Sequence, residues 1–292
     1  MSWQLSISLF FLFSVMQSLW QRVYLKTSTL PESIPPAFAY LFGVMPLAII
    51  VGLATRHIHV DWGMTTVLLL IGEGIFIGLF NWLSYKAIKR MHISQFQVIF
   101  QLYGVTAVVF GWLLLGERLS PAQLVGSALL ITGALLAATS HKQQKSIHGL
   151  RNDAVFLAAM AAVSLGIGLV IEKAALGRMD MGAYFIFGFG TQTIALLVIA
   201  AHDLPKLRRE HITWPQFRGP LAFGILSCLI GFTYIYALRK VDNVSLVTMV
   251  STFQLPLTVL AAFIILKERD NLTRLALACT IGFVGLLINT IH

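Results

Sequence analysis

The sequence predicts an all-α integral membrane protein of ten transmembrane helices, arranged as two inverted repeats of five. Three observations predict this fold. The composition is too apolar for a water-exposed surface, with 57% hydrophobic residues, 11% charged residues and a mean hydropathy of +0.81. Apolar runs of about membrane length follow one another along the chain, and the second half resembles the first. Because a soluble domain carries about a quarter charged residues, the composition alone excludes that class.

Each apolar run has about the length of a membrane helix, since a hydrocarbon core of about 30 Å takes roughly 20 apolar residues. Backbone N–H and C=O groups in lipid must be satisfied within the segment, so each run is predicted to be a helix. Pro46 and Pro256 lie inside runs and predict kinks or cavity-lining backbone. The runs cover approximately residues 4–24, 35–54, 65–86, 93–115, 121–139, 153–174, 182–201, 217–238, 244–266 and 273–290.

The connections between the runs are short, and the two longest are residues 140–153 and 202–216. Neither is long enough for a soluble domain. The first run lacks a basic start and a small-residue cleavage site, which indicates a membrane helix rather than a signal peptide. Cys228 and Cys279 fall inside apolar runs and have no metal-binding spacing, so we interpret them as small buried apolar residues.

The two halves of the chain share sequence features at a nearly constant spacing. Residues 85–94 and 235–245 both end a run with Ala, an aliphatic residue and two basic residues, followed by a short loop to Ser. Residues 104–120 and 255–271 both end an apolar run with Glu-Arg. Because each repeat holds an odd number of helices, equivalent helices cross the membrane in opposite directions. Many secondary transporters have this organisation, with the substrate site at the interface of the repeats.

A motif follows the fourth run: an apolar stretch, then Gly116, Glu117, Leu119, Ser120, Gln123, Gly126 and Gly133. Together with the two repeats of five helices, it resembles the EamA-type permeases of the drug/metabolite transporter superfamily. The second half keeps Glu268 and Gly285 and departs from the rest of the motif. The resemblance implies a first EamA-like repeat at residues 1–139, a basic linker at 140–152 and a second repeat at 153–292. It also implies transport, and says little about the substrate.

The net charge of +9 is explained by membrane topology, because the Lys and Arg residues lie between the apolar runs. We therefore expect no nucleic-acid partner. Most basic residues lie on the side opposite the N-terminus, among them Arg22, Lys86, Arg90 and Arg208. Since cytoplasmic loops are basic, the protein is predicted to be a multi-pass protein of the inner or plasma membrane with both termini outside. The better-known relatives have both termini in the cytoplasm.

Glu73 lies in the middle of the third apolar run, and Asn81 lies on the same helical face. Ionisable groups within membrane segments are rare, usually face the bundle interior and are functional candidates. Burial favours the neutral form of a carboxyl. We therefore predict that Glu73 is a proton or cation coupling site, losing its proton when a cationic group or coupling ion arrives. The alternatives are a permanently protonated acid hydrogen-bonded to a neighbouring helix, and a position nearer the membrane surface.

Polar side chains four residues apart suggest a substrate site between the repeats. The resemblance implies that the fourth and ninth helices line the cavity. Gln97 and Gln101 lie on one face of the fourth helix, and the repeat alignment maps them onto Thr248 and Thr252 of the ninth. The predicted substrate-binding residues are therefore Gln17, Gln21, Glu73, Asn81, Gln97, Gln101, Thr248 and Thr252. The alternative is that these groups bond helix to helix, for about 1 kcal/mol each.

Two other features of the sequence are assigned structural roles. Gly126 and Gly133 on the fifth helix, with Gly285 on the tenth, provide small-residue surfaces for close helix packing or for a homodimer through helices 5 and 10. Glu172 and Lys173 end the sixth helix. Adjacent residues do not face each other on a helix, so they are not predicted to pair.

The sequence contains no zinc-binding HExxH, no nucleotide-binding loop and no Cys/His metal spacing. We therefore predict no catalytic residue, no metal and no cofactor, and transport driven by a solute or ion gradient. The predicted function is a secondary transporter or facilitator of a small organic metabolite, such as an amino acid or amine, working by alternating access. Family habit implies export. A lipid or lipid-linked sugar flippase of the same fold is the alternative. An enzyme would need several buried ionisable groups, and the sequence indicates essentially one.

Overall fold

The computed structural model describes residues 3–55, 58–116, 120–139, 148–207, 213–240, 254–267 and 272–290. Within these residues the regular secondary structure is helical, and β-type pairing is limited to an isolated bridge between Val60 and Met179. The predicted all-α class is confirmed for this part of the chain. Thr248, Thr252, Glu117 and Glu268 lie outside the described residues.

The first half of the chain begins with α1, a 25-residue helix. Its helices are α1 (Trp3–Thr27), α2 (Ile34–Phe38), α3 (Met45–Ala54), α4 (Met64–Arg90), α5 (Ile93–Phe100), α6 (Leu102–Leu115) and α7 (Pro121–Thr139). The second half has α8 (His148–Leu176), α9 (Met181–Ala201), α10 (Trp214–Lys240), α11 (Gln254–Ile265) and α12 (Leu272–Thr290).

The second apolar run forms α2 and α3 joined by a π-helical segment, Ala39–Val44. Pro46 has no N–H for the carbonyl four residues earlier, and its ring crowds that carbonyl. The turn before it widens instead, and the Met45 N–H donates to the carbonyl of Tyr40, five residues back. The predicted distortion at Pro46 therefore takes the form of a π-helical turn. Pro256 lies in the first turn of α11, where proline is tolerated.

A third proline, Pro220, lies inside α10 and leaves the carbonyl of Gln216 without its usual helical donor. The Tyr24 hydroxyl on α1 donates to that carbonyl at 3.0 Å. The Trp20 indole N–H donates to the carbonyl of Gly219 at 3.2 Å. Two side chains of α1 thus satisfy the disturbed backbone of α10 and fix the two helices against each other.

Six helical segments of the described chain are long and apolar enough to cross a membrane. They are Ile34–Ala54, Met64–Arg90, Ile93–Leu114, Asp153–Leu176, Met181–Ala201 and Gln216–Ala237. Three shorter apolar helices, Leu124–Ala137, Gln254–Ile265 and Thr273–Ile288, accompany them together with α1. The chain is therefore multi-pass, and the exact number of ten crossings remains a prediction from the sequence. Large apolar side chains such as Leu12, Ile50, Leu68 and Val198 face outward, as contact with lipid requires.

The packing follows the symmetry that inverted repeats require. Helix α4, which is the third apolar run of the first half, packs most extensively on α8, the first helix of the second half. In the same way α10 packs on α1. The last helices of the two halves, α7 and α12, pack on each other: a Cβ on Gly133 would lie 2.9 Å from the Ala278 carbonyl oxygen. Their small-residue faces are thus occupied within the chain, and the predicted homodimer would have to use other faces of these helices.

Candidate functional site

Glu73 lies nine residues into α4, about 13 Å along the helix from its start, and its side chain is 0% exposed. Two neighbouring glycines permit this burial. A Cβ on Gly74 would lie 2.8 Å from the Thr191 carbonyl oxygen, and one on Gly78 would lie 3.0 Å from the Cβ of Ala195. The backbone of α9 therefore crosses α4 at the level of Glu73, and the carboxyl reaches polar groups of the other repeat.

One carboxylate oxygen of Glu73 holds two hydrogen bonds from α9. The Tyr184 hydroxyl donates to Oε1 at 2.7 Å, and the Gln192 side-chain amide donates to the same oxygen at 2.6 Å. The other oxygen, Oε2, is buried without a hydrogen-bond partner, and so is the amide oxygen of Gln192. A buried acceptor without a donor is costly. The site is therefore complementary to a bound proton, an ammonium group or another cation.

A second carboxyl belongs to this cluster. Glu172, four residues before the end of α8, lies near Tyr184 and Glu73. The sequence indicated essentially one buried ionisable group, whereas in the structure Arg22 is also buried, at 6% exposed, and Glu172 is half-buried. In the sequence, Glu172 is notable only because it lies next to Lys173 at the end of a predicted helix. The signal that could have identified it is a carboxyl still inside an apolar run, one turn before the helix ends.

Asn81 extends the polar face of α4 by two turns beyond Glu73. Its side-chain amide donates to the Tyr40 hydroxyl at 3.0 Å and to the Ile77 carbonyl at 2.9 Å. Tyr40 lies in the π-helical segment. The structure therefore brings Glu73 and Asn81 into one region between α4, α8, α9 and the π-helical segment, as the helical spacing on α4 predicted.

The predicted glutamines form a separate group around α1. The Gln97 amide donates to the Ser18 hydroxyl at 3.1 Å, and the Ser18 hydroxyl donates to the carbonyl of Ser14 at 3.0 Å. The Gln17 amide donates to the Ser227 hydroxyl on α10. The bonds of Gln97 and Gln17 join helix to helix, as the structural alternative for these residues describes. Gln101 differs, because its amide oxygen is buried without a partner at the junction of α5 and α6.

Gln21 is buried on α1 beside Arg22, whose side chain is only 6% exposed. The sequence pattern places Arg22 among the surface charges that set the topology. In the structure its guanidinium donates to the carbonyl of Ile88 in the last turn of α4. Carbonyls in a last helical turn have no partner within the helix and carry partial negative charge, so a cation there is stabilising. Arg22 therefore fixes the end of α4, the helix that carries Glu73.

No group of three or more His, Cys, Asp or Glu residues able to hold a metal ion occurs among the described residues. The candidate site is instead a cluster of carboxyl, tyrosine and amide groups, in which the Glu73 bonds join α4 of the first half to α9 of the second and the Asn81–Tyr40 bond lies within the first half. Apolar helices that bury such groups between two repeats are typical of membrane transporters with an internal site.

Comparison with known proteins gives the family. The sequence pattern of the EamA-like transporter family matches residues 3–139 and again residues 153–291. The chain belongs to the EamA-like transporter family, and it is a multi-pass membrane transporter of the drug/metabolite type. This confirms the resemblance based on the sequence. One protein of known crystal structure aligns over 97% of this chain and 98% of its own, with a TM-score of 0.64 and 19% identity, which shows the fold alone. No curated protein matches the sequence.

Proposed function

We propose that the protein is a secondary transporter of a small organic solute with an amino group, working by alternating access, with Glu73 as its exchangeable proton or cation site. The observation that carries this proposal is the half-satisfied carboxyl of Glu73. One oxygen is held by two donors, while Oε2 and the amide oxygen of Gln192 have none. An ammonium group supplies N–H donors to both acceptors and a positive charge to the carboxylate.

The position of Glu73 between the repeats supports coupling to a conformational change. Glu73 belongs to α4 of the first half, whereas its two donors, Tyr184 and Gln192, belong to α9 of the second. Alternating access moves one repeat against the other around the site. A movement that separates α4 from α9 removes the donors, and a carboxylate without donors favours a proton instead. The protonation of Glu73 and the conformation of the protein would thus depend on each other.

The amides around α1 are proposed to contribute to recognition of the solute. Gln101 is the first candidate among them, because its amide oxygen has no partner and it lies where α5 ends and α6 begins. Gln17, Gln21 and Gln97 are proposed as secondary contacts, since the structure already uses Gln17 and Gln97 to join helices. Export, from the cytoplasm outward, is proposed from the habit of the family.

A flippase of lipids or lipid-linked sugars is the second candidate. It is supported by an apolar groove of about 380 Å³ between α11 and α12, with Pro256, Leu260 and Phe283 among its walls. A groove of that character fits an acyl or polyprenyl chain. It contains none of the polar residues of the Glu73 cluster, so the two candidates predict different ligands and different sensitive residues.

The test is thermal unfolding of the purified protein with amino acids, primary amines, polyamines, quaternary amines, sugars and short-chain lipids at two pH values. A ligand that binds the folded state alone raises Tm by mass action. We expect primary amines or amino acids to raise Tm, more strongly at the higher pH, and Glu73→Gln to lose the effect. Asp180→Asn is the matched control, since it also converts a carboxyl to an amide but lies at the start of α9.

Two outcomes would overturn the proposal. Equal stabilisation of the wild type and Glu73→Gln by every active solute would make Glu73 structural. Stabilisation by lipids alone, lost on widening or filling the groove at Leu260, would favour the flippase.

A further inference from the structure

We propose that Arg22 and the Glu32–Arg90 ion pair form a gate that closes the protein at the side of the membrane where α1 and α4 end. This inference rests on the proposed function, because a gate is needed only if the two repeats move against each other in alternating access. It adds to that function the contacts that must break before the protein opens on this side.

Helices α1 and α10 form one packed pair with side-chain hydrogen bonds at both ends. The Ser6 hydroxyl, near the start of α1, donates to the carbonyl of Thr233 at 2.9 Å. Just beyond the other end of α1, the side-chain amide of Gln216 on α10 donates to the Thr29 hydroxyl at 2.8 Å. Because these bonds lie at opposite ends of the two helices, we expect the pair to move as one body.

Helices α4 and α8 form the second packed pair. A Cβ on Gly168 of α8 would lie 2.5 Å from the Cδ1 atom of Ile77, so the two helices interlock midway along α4. Before the start of α4, the Asp61 N–H donates to the carbonyl of Arg178, in the turn after α8, at 2.9 Å. We therefore expect this pair also to move as one body.

The outer layer of the gate is an ion pair between the two helix pairs. Glu32 lies in the connection after α1 that Thr29 ties to α10, and Arg90 is the last residue of α4. One guanidinium nitrogen of Arg90 donates to both carboxylate oxygens of Glu32, at 3.0 and 3.1 Å. The side chains of Arg90 and Glu32 are 34% and 21% exposed, so water can replace these bonds. Exposed ion pairs contribute little net stability, which suits a contact that breaks in every transport cycle.

Arg22 forms a second, buried layer of the gate. Its guanidinium donates to the carbonyl of Ile88 in the last turn of α4, where the partial negative charge of the helix end favours a cation. Ser18 lies one turn before Arg22 on the same face of α1, and its hydroxyl accepts a hydrogen bond from the Gln97 amide at 3.1 Å. Polar contacts between α1 and the helices that face it therefore continue inward from the ion pair.

An aromatic contact closes the same region with apolar surface. Tyr85 of α4 packs edge-on against Phe223 of α10, with ring centroids 5.1 Å apart. The two side chains are 1% and 6% exposed, so they exclude water from the space between the two helix pairs. Polar and apolar contacts between the pairs thus coincide where α4 ends, which is the arrangement that a closed gate requires.

The experiment measures the distance between the two helix pairs on this side by double electron–electron resonance in liposomes. One spin label is attached at Arg218→Cys, near the start of α10, and the other at Asp153→Cys, near the start of α8, where both native side chains are exposed. Cys228 and Cys279 are replaced by Ala in every sample. Labels at Arg218→Cys and Thr27→Cys lie within the α1–α10 pair and provide the internal control.

Two variants weaken the gate. Glu32→Gln removes the ion pair, and Arg22→Met removes the buried donor while keeping a long side chain. Thr29→Val is the matched control, because it breaks a bond at the same end that lies within one helix pair. We expect a second, longer distance between α10 and α8, with its population relative to the short distance raised about twofold to fivefold by Glu32→Gln. Arg22→Met should raise it at least about tenfold, since hydrogen bonds to charged groups are stronger.

The Thr29→Val control should keep the wild-type ratio, and the label pair within α1–α10 should give one distance in every variant. An unchanged distance in both gate variants would overturn the gate, and so would an equal rise in Thr29→Val. A purely structural role for Arg22 would lower Tm without changing the distance ratio, which would also overturn the gate. If Arg22→Met fails to fold, Glu32→Gln decides the outcome by itself.

The proposed function is tested separately, by the rise of Tm with amines. If amines raise Tm in the wild type while the gate variants leave the distances unchanged, the gate is overturned and the proposed function stands. If the gate variants add the longer distance while no amine raises Tm, the gate stands and the proposed solute is overturned.

Discussion

The two halves of the molecule make the same close helix crossing with different chemistry. Aligning Ala87 with Ala237 places Gly224 opposite Gly74 and Phe223 opposite Glu73. At the first crossing Gly74 lies against Thr191 of α9. At the second, Gly224 lies against the π-helical segment, where a Cβ added to Gly43 would be 2.8 Å from the Gly224 backbone. Both repeats thus use glycine to bring two backbones together.

The residue before the glycine differs between the two crossings, being apolar at one and a carboxyl at the other. Phe223 is 6% exposed and packs edge-on against Tyr85, with ring centroids 5.1 Å apart. Glu73 at the equivalent position accepts hydrogen bonds from Tyr184 and Gln192. The repeat alignment places no polar residue opposite either donor, since the LFG of 41–43 matches the GFG of 188–190. The comparison teaches that both repeats make the crossing, whereas the carboxyl and its donors are present at one of the two crossings only.

Phe223→Glu is the change with the largest expected effect. It places a carboxyl at the second crossing, where the repeat alignment provides no donor equivalent to Tyr184 or Gln192. An uncompensated buried charge costs roughly 3–5 kcal/mol. We expect the free energy of unfolding, measured by titration with a denaturing detergent, to fall by about this amount. Phe223→Leu is the control for lost ring volume, and an equal loss in both variants would contradict the electrostatic explanation.

Gly224→Ala is expected to be the next most harmful. The added Cβ would collide with the carbonyl of Ala39 and with Gly43, and backbone atoms yield less than side chains. Overpacking typically costs about 1–3 kcal/mol, and we expect the upper end. Gly63→Ala is the matched control, because nothing lies within 4 Å of its added Cβ. The same titration should show almost no change for the control.

Glu73→Leu makes the reverse change at the first crossing, because it replaces the buried carboxyl with an apolar side chain. It leaves the Tyr184 hydroxyl and the Gln192 amide without an acceptor, for a loss of about 2 kcal/mol. Glu73→Gln keeps an oxygen for both donors and is expected to lose less than half as much. If Glu73→Leu were as stable as the wild type, the hydrogen bonds at this crossing would have no net stabilising effect.

Tyr40→Phe should have the smallest effect. It removes the acceptor for one of the two hydrogen bonds of the Asn81 amide, while the bond to Ile77 remains. Interhelical hydrogen bonds in membrane proteins contribute about 0.6 kcal/mol on average. We expect a loss of that size in detergent titration. A loss as large as that of Glu73→Leu would mean that Asn81 and Tyr40 hold the Glu73 cluster together.

The sequence predicted the features that depend on neighbours along one helix. Hydropathy predicted apolar helices, and Pro46 predicted a distortion, because a missing N–H acts locally. The spacing of Glu73 and Asn81 predicted their shared face for the same reason. Glu172 was missed because its nearness to Tyr184 of the next helix depends on how α8 and α9 pack. Gln17 and Gln97 were predicted to bind the substrate, which stays a prediction, and their hydrogen-bond partners on other helices could not be deduced from the sequence.

By itself, the sequence determined that this chain is a membrane protein with two related halves and one carboxyl deep in an apolar helix. Those properties follow from composition, periodicity and repetition, which depend only on the order of residues in the chain. The tertiary structure alone decided which groups meet that carboxyl: Tyr184 and Gln192 on one oxygen, and no partner on the other oxygen. Such contacts depend on the rotation and crossing of helices more than a hundred residues apart, set by glycines that let the backbones approach.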